Sequence, residues 1–375
     1  MKKKPIALGI CATLICGYAH AQSAVTLYGA VDSGIAYIHN SGGQSSQWKF
    51  QSSNLSISQW GLKGTEDLGG GTSTVFDLEN GFDSGTGEAD HDEKLFGRQA
   101  YVGLANDRLG TVTLGRQYDP ITDLLQLLTA DVYSGWFATP GDVDNYDSSA
   151  RFNNSVKWAS PTWNGVQGSI MYAFGGVAGA TGSGQTYSAA LAYTGAALSV
   201  AGGYLHIDNG NPTLSARGVS SSDSIFNSPV NSAYASARSI DIARVGGQYV
   251  LGSYTVGAAY SYSRYVPDAA STYQDAEKYH NGSVFAIWQA TPAFQVIGAY
   301  NYTRAVGDSS AKYHQFNVGA DYNLSKRTDV YAFGGYQHAL GENGFGAAEA
   351  SMGSLGIAAG KSTQEVVVVG LRHRF

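Results

Sequence analysis

The stretch TQEVVVVGLRHRF (363–375) runs four consecutive valines into an alternation of Leu371, His373 and Phe375 with Arg372 and Arg374, and has no polar tail. Chain ends are ordinarily loose and hydrophilic. Strand side chains alternate between faces, so Val367, Val369, Leu371, His373 and Phe375 share one face. That pattern predicts a strand held by neighbours to its last residue.

Working back from it, the same alternation recurs in segments of about ten residues. Examples are VTLYGAVDSGIAYI (25–38), SSNLSISQWGLKG (52–64), TSTVFDLENGF (72–82), LFGRQAYVGL (95–104), GTVTLGRQY (110–118) and ARFNNSVKWAS (150–160). Sixteen such segments can be counted, and they are separated alternately by short and long connections. The long ones fall near 39–50, 83–94, 119–149, 208–237, 266–278 and 340–362. Tight turns at one rim and long loops at the other are how antiparallel strands meander in a transmembrane barrel. Both ends then lie on the short-turn rim, where the last strand can pair with the first. In hydrocarbon a sheet has to close, because an open edge finds no water to satisfy it. Sixteen strands enclose a circle too wide for side chains to fill, which leaves an aqueous path.

Composition agrees. Gly 49, Tyr 25, Pro 8 and 14% charged residues do not describe a disordered chain, and mean hydropathy is slightly negative at −0.16. No apolar run after the N-terminus reaches the roughly 18 residues of a helical span. The first 21 residues, MKKKPIALGICATLICGYAHA, have the layout of a cleaved signal peptide, with lysines, an apolar stretch and Ala19-His20-Ala21. A lipid-modified cysteine is the rival reading, although Ile rather than a small residue precedes both Cys11 and Cys16. Cleavage after Ala21 leaves a barrel domain of 22–375 without thiols, so disulfides and Cys-ligated metals are excluded. It also removes three of the 23 basic residues against 29 acids, giving a mature charge of −9 that disfavours nucleic acid. Motifs of catalysis are absent, no cofactor is implied, and an enzyme is not expected. DVDNYD (142–147) has oxygen-rich spacing but lacks the later bidentate Glu of a calcium loop, so no metal is assigned.

Parity orients the charged residues. An arginine facing lipid at mid-membrane costs about 2–4 kcal/mol, which turns Arg98 inward with Ala100 and places Tyr101 outward. Phe152, Val156 and Trp158 outward put Arg151, Ser155 and Lys157 inward. Trp60 and Leu62 outward put Gln59 and Lys63 inward. Asp32, Asp77 and Glu79 also face inward. Arg116 shares parity with Val112 and Leu114, so it is expected to point outward near the end of its strand, where in an assembly it would meet a neighbouring subunit's second loop, with the pore as the second reading.

The residues VTLYGAVDSGI, QWGLKGTEDLGGG, GRQAYVGL, LGTVTLGRQYDP and the terminal VGLRHRF together resemble the general trimeric porins of Gram-negative outer membranes, especially the betaproteobacterial and neisserial branch. The resemblance covers the whole chain. It implies an all-β, 16-stranded antiparallel transmembrane barrel whose third loop, 119–149, folds into the lumen and faces an arginine ladder. Asp119, Asp123, Asp131, Asp142, Asp144 and Asp147 would then form the acidic side with Asp77 and Glu79. Arg98, Arg151, Lys157, Lys63 and Gln59 would form the opposing wall. Gln59 stands where the family usually has arginine, and the acid count leans to weak cation preference. The resemblance further implies a homotrimer, contact with outer-membrane lipid and lipopolysaccharide, and handover to the outer-membrane assembly machinery through the strand ending at Phe375. The expected function is general diffusion of small hydrophilic solutes and ions. A substrate-specific channel is the alternative.

Overall fold

The computed structural model describes residues 24–210, 213 and 220–375. The signal-peptide reading falls on residues 1–21, outside the described residues. The wall strands in chain order are β1 (Ala24–Ser41), β2 (Gln44–Ser52), β3 (Gln59–Gly69), β4 (Thr72–Gly81), β5 (Gln99–Asn106), β6 (Gly110–Gln117), β7 (Phe152–Ala159) and β8 (Val166–Ala173). They continue as β9 (Thr186–Thr194), β10 (Leu198–Asp208), β11 (Ser239–Leu251), β12 (Tyr254–Val266), β13 (Glu277–Thr291), β14 (Phe294–Val306), β15 (Lys312–Asn323) and β16 (Thr328–Leu340). A two-stranded hairpin, β17 (Glu342–Asn343) and β18 (Gly346–Ala347), sits in the last long connection before β19 (Thr363–Arg374).

All neighbours in the wall are antiparallel, and β19 returns to β1 with Ile35 opposite Val369. Both β2 and β3 pair with β1, at Ser33–Ser41 and Ala24–Ala30 respectively, so together they fill one position. The seventeen wall segments therefore occupy sixteen positions around a closed barrel.

The expected long connection at 39–50 is replaced by a turn at Gly42-Gly43, because β1 and β2 continue upward as a hairpin. Its residues Gln44–Gln47 are polar on both faces. Alternation marks a strand only where one face meets oil, so this part of β2 left no period in the sequence.

Between β2 and β3 the chain leaves the wall. Ser53 adopts φ 63. The fully buried Asp32 carboxylate accepts from the backbone N–H groups of Leu55 at 2.7 Å and Ser56 at 2.9 Å, and from the Tyr331 hydroxyl. Asp32→Ala leaves those donors without their buried acceptor. Each hydrogen bond to a charged group is worth about 1.5–3 kcal/mol, so a loss of about 3 kcal/mol is expected, read as a lower temperature for losing the compact electrophoretic form.

The outward face reads as forecast for the terminal strand. Val367, Val369, Leu371 and Phe375 are 42–59% exposed, whereas Val366 and Val368 are buried. Val25 and Leu27 are likewise exposed opposite buried Asp32. The opposite, buried parity on β12–β15 carries polar side chains that hold the segment following β6. Asn301 donates to Phe137 O at 2.7 Å, Gln315 to Trp136 O at 2.9 Å, and Tyr265 OH to Val143 O at 2.7 Å. The apolar part of that segment supplies Leu125, Trp136 and Phe137 to two buried clusters, one with Tyr265 and Tyr279, the other with Phe333 and Met352.

Candidate functional site

A cavity of about 960 Å3 opens between the 119–149 segment and the β3–β7 wall, lined by Arg98, Arg151, Lys157, Tyr101, Tyr118, Asp123, Asp131 and Asp147. Leu55 and Ile57 from the Asp32-pinned segment, with Asp90, His91 and Asp223, complete much of its rim.

On the basic side, Arg98 donates from Nε to Glu79 at 2.9 Å, and its Nη1 lies 3.9 Å from Asp90. The route by which it reaches the cavity differs from the sequence reading. Val102 and Leu104 are the exposed residues of β5, so Tyr101 faces the cavity and not lipid. Arg98 is not on the strand at all; it sits in the bend before Gln99, free of strand parity.

Arg151 is 3% exposed, donates to the carbonyls of Ser148 and Ser149 and stacks its guanidinium 4.9 Å from the Tyr118 ring centre. No carboxylate pairs with it among the described residues. Lys157 Nζ is 2.6 Å from Asp123 and 3.0 Å from the Tyr118 carbonyl. Gln59 donates to Glu79 at 3.0 Å. Lys63 is exposed, with its Nζ 4.6 Å above the Tyr28 ring, and Tyr28 donates to both Asp77 and Glu79.

Two parity readings are corrected by one irregularity. The β6–β7 register shifts between Gly115 and Gln117, with Gly115 at φ 143 and Asn154 at φ 53. That extra twist rotates Arg116 off the face of Val112 and Leu114. Arg116 is 8% exposed, pairs with Asp223 and donates to Gly97 O at 2.7 Å. Within the chain its guanidinium is held by Asp223, Asn153 and the Gly97 carbonyl. Phe152, expected outward, is fully buried for the same reason.

The six loop acids separate into two groups. Asp119 caps the short helix Pro120–Leu125 by accepting from Ile121 N and lies 3.8 Å from Arg244. Asp142 accepts from the backbone of Asp147 and Ser149, and Asp144 takes Thr139, Ser261 and Asn281. These three fasten the segment. Only Asp123, Asp131 and Asp147 line the cavity. Burial, and then the charge of Asp147, holds Asp131 well above the usual carboxylate range. Burial and the Asp142 charge push Asp147 up to about 7. His91 is pushed down to about 2 by burial and by the positive Arg151, Arg98 and Arg116, so it adds no charge near neutrality.

Sequence reasoning missed Tyr118, Asp90, Asp223 and Arg244. Parity could have found Arg244, since it shares the face of Ile240 and Ile242 opposite exposed Val245. The others lie in connections, where no period exists to read.

A closed antiparallel barrel of sixteen positions, apolar outside and carrying charged groups around an open cavity inside, defines an outer-membrane channel rather than an enzyme. The family model for Gram-negative porins matches residues 7–341, and the chain belongs to that family. It is 30% identical to an outer membrane porin of Bordetella pertussis and 29% identical to outer membrane porin protein 32 of Delftia acidovorans, each over 100% of both chains. Its fold is similar to that of an anion-selective porin from Comamonas acidovorans, with a TM-score of 0.74, 25% identity, and coverage of 94% of this chain and 100% of that one. The trimer form of Vibrio cholerae OmpT matches in fold at TM-score 0.67 and 15% identity, over 94% and 99% of the two chains. The protein thus resides in the outer membrane of a Gram-negative bacterium.

Proposed function

We propose that the protein is a general diffusion porin in which segment 119–149 folds into the lumen and narrows it against the β3–β7 wall. Small hydrophilic solutes and ions pass through the remaining opening. The observation that carries this reading is the pairing of a water-sized opening with opposed groups, Arg98, Arg151 and Lys157 across from the carboxyls of Asp123 and Asp147, with the Asp131 carboxyl beside them. Opposed rows of charge set up a transverse field that orients water and gives anions and cations separate tracks.

Charge preference is small because the charges largely cancel. Arg98 and Lys157 have carboxylate partners, which leaves Arg151 against Asp147, because burial holds Asp131 toward its neutral form. Three of the six loop acids are spent on fastening, so the acid count overstates the negative field. Asp147 is anionic above about pH 7 and neutral below it. Lowering the pH from 8 to 5.5 removes that charge while the arginines stay charged, so anions gain. One charge about 8 Å from the path in a watery pore is worth about 0.5 kcal/mol, opposite in sign for anions and cations, and screening in about 0.1 M salt roughly halves it, so the anion-to-cation permeability ratio is expected to rise about twofold. Reversal potentials across a salt gradient check this; movement toward cations at acid pH would overturn the assignment of Asp147.

Single-channel recording in planar bilayers tests the main reading. Three conductance steps per insertion support a homotrimer, the state named for the Vibrio cholerae OmpT structure. Conductance that rises with solute without saturating supports general diffusion. One feature favours the substrate-specific alternative: Arg151, without a carboxylate partner and backed by the Tyr118 ring, is a seat for a carboxylate or phosphate. Saturable block by one anionic solute class would select it.

A further inference from the structure

Where β15 begins and β16 ends, at the rim of the long connections, the ladder sets His314 directly opposite His338. Both lie on the outward parity of their strands, in line with exposed Phe316 and Val318 on β15 and exposed Tyr336 and Leu340 on β16. Opposed residues of an antiparallel pair share a face, with Cβ atoms about 4.5–5.5 Å apart. Among the described histidines of the wall this juxtaposition occurs once, since His39, His206, His280 and His373 each stand opposite residues of other types.

The neighbouring histidines show what an imidazole at this level ordinarily does. His280 Nδ1 lies 2.8 Å from Tyr260 OH, and its ring packs on Tyr262 at 5.1 Å. His314 repeats the arrangement, with Nδ1 2.8 Å from Tyr300 OH and the ring 4.9 Å from Tyr302. Those contacts make both residues members of an interfacial aromatic girdle. His338 departs from the pattern. It is half-buried, and its imidazole has no hydrogen-bond, ion-pair or ring partner among the described residues. The group of matching chemistry that the ladder brings to it is His314.

Tyr300 determines what His314 can offer. With Nδ1–H donating to the tyrosine oxygen, the Nε2 lone pair is left free. Metal-ligating imidazoles characteristically donate their other N–H to an oxygen in this way, which fixes the tautomer and raises ligand basicity. Two imidazole nitrogens about 3 Å apart fill adjacent positions around an ion bound at about 2.0–2.1 Å, and directly opposed side chains can meet that spacing. Imidazole suits copper, nickel and zinc, with copper(II) held most tightly of the divalent series. No three histidine or carboxylate groups converge on one point among the described residues, so water completes the coordination shell.

We propose that His314 and His338 together bind a divalent first-row transition-metal ion on the outer face of the barrel, copper(II) in preference to nickel(II) or zinc(II). Nε2 of His314 and one imidazole nitrogen of His338 are the ligands, and Tyr300 is a positioning residue. The ion clips the two strands together where their ladder ends, at Lys312 opposite Leu340.

The test titrates copper(II) into the full-length barrel, purified in mild detergent without a polyhistidine tag, and follows it by electron paramagnetic resonance. The wild type is expected to take up one ion per protomer with the splitting of two imidazole nitrogens. H338Q and H314Q should each reduce that splitting to one nitrogen and weaken binding at least about tenfold. Y300F should keep both nitrogens while weakening binding about tenfold, the low end for loss of an outer-shell partner. H280Q, which removes a girdle histidine with no imidazole across from it, should change nothing. Retention of the compact, heat-sensitive electrophoretic form verifies folding. Should H314Q fail to assemble, H338Q, whose imidazole has no partner to lose, carries the test. One nitrogen in the wild-type spectrum, equal affinity of wild type and H338Q, or an equal loss in H280Q overturns the proposal. Displacement of the copper by excess magnesium, which takes oxygen ligands, also overturns it. None of these readouts depends on conductance, so the channel reading stands or falls separately.

Discussion

Replacing Arg98 and Arg151 together by serine is expected to raise the cation-to-anion permeability ratio about tenfold in dilute salt. Both guanidinium groups are nearly buried in protein yet border the cavity. At about 6 Å from a passing ion and an effective dielectric constant near 60, each contributes about 1 kcal/mol. Each acts with opposite sign on cations and anions, and screening in about 0.1 M salt leaves roughly half of it, so the two together move the ratio by somewhat more than one decade. Their partners amplify the change, since Glu79 loses its 2.9 Å contact to Arg98 and becomes available to cations. Because the Debye length is about 10 Å at 0.1 M salt and about 3 Å at 1 M, the difference should shrink in concentrated salt while conductance persists. Arg151→Ser alone is expected to carry more than half of the effect, since only Arg98 has carboxylates beside it to offset its charge. Zero-current potentials at two salt concentrations decide it. An unchanged ratio in the double variant would show that these side chains do not border the ion path.

The variants also show how far a sequence reaches. On β1 and the terminal strand parity located the lipid-facing set, with Val25, Leu27, Val367, Val369 and Leu371 exposed, because a wrong assignment there exposes polar groups to hydrocarbon. Lys157 borders the cavity from within β7, whereas Arg151 lies before that strand and beyond the Asn154 irregularity, so strand parity does not govern its place there. Parity failed at Tyr101, Arg116 and Phe152. The last two flank the Gly115–Asn154 irregularity, where an extra twist reverses the face without altering the apolar pattern that announces it. Tyr101 was misplaced because Arg98 was counted on the strand, although it sits in the bend before it. The connections were harder still. That Asp142 would cap its own turn while Asp147 lines the cavity depends on backbone angles such as φ 46 at Asp142, which no spacing encodes.

Removing the Phe375 side chain is expected to lower the amount of barrel assembled in cells at least tenfold while leaving refolding into detergent close to normal. The distinction follows from what Phe375 contributes to the finished structure. Its backbone completes the seam, with Gly29 N donating to Phe375 O at 3.2 Å and Phe375 N to Gly29 O at 3.0 Å, and Phe375→Ala keeps both. The ring lies over Gly29, where a Cβ would come within 2.6 Å of it, and remains 42% exposed. Losing a half-covered ring costs about 1 kcal/mol. That is small beside a ladder that runs from Ala30–Arg374 to His39–Glu365 and is reinforced by Arg372 and Arg374 on the buried Asp329 carboxylate. A large cellular defect with little loss of intrinsic stability would therefore mean that the terminal aromatic is read by assembly components before the barrel closes. Gly29→Leu supplies the contrast. A side chain there meets the Gln59 carbonyl at 2.4 Å as well as the ring, so it should impair refolding in detergent and assembly in cells alike. If Phe375→Ala refolded as poorly as Gly29→Leu, the ring would be a structural part of the seam and the recognition role would be lost.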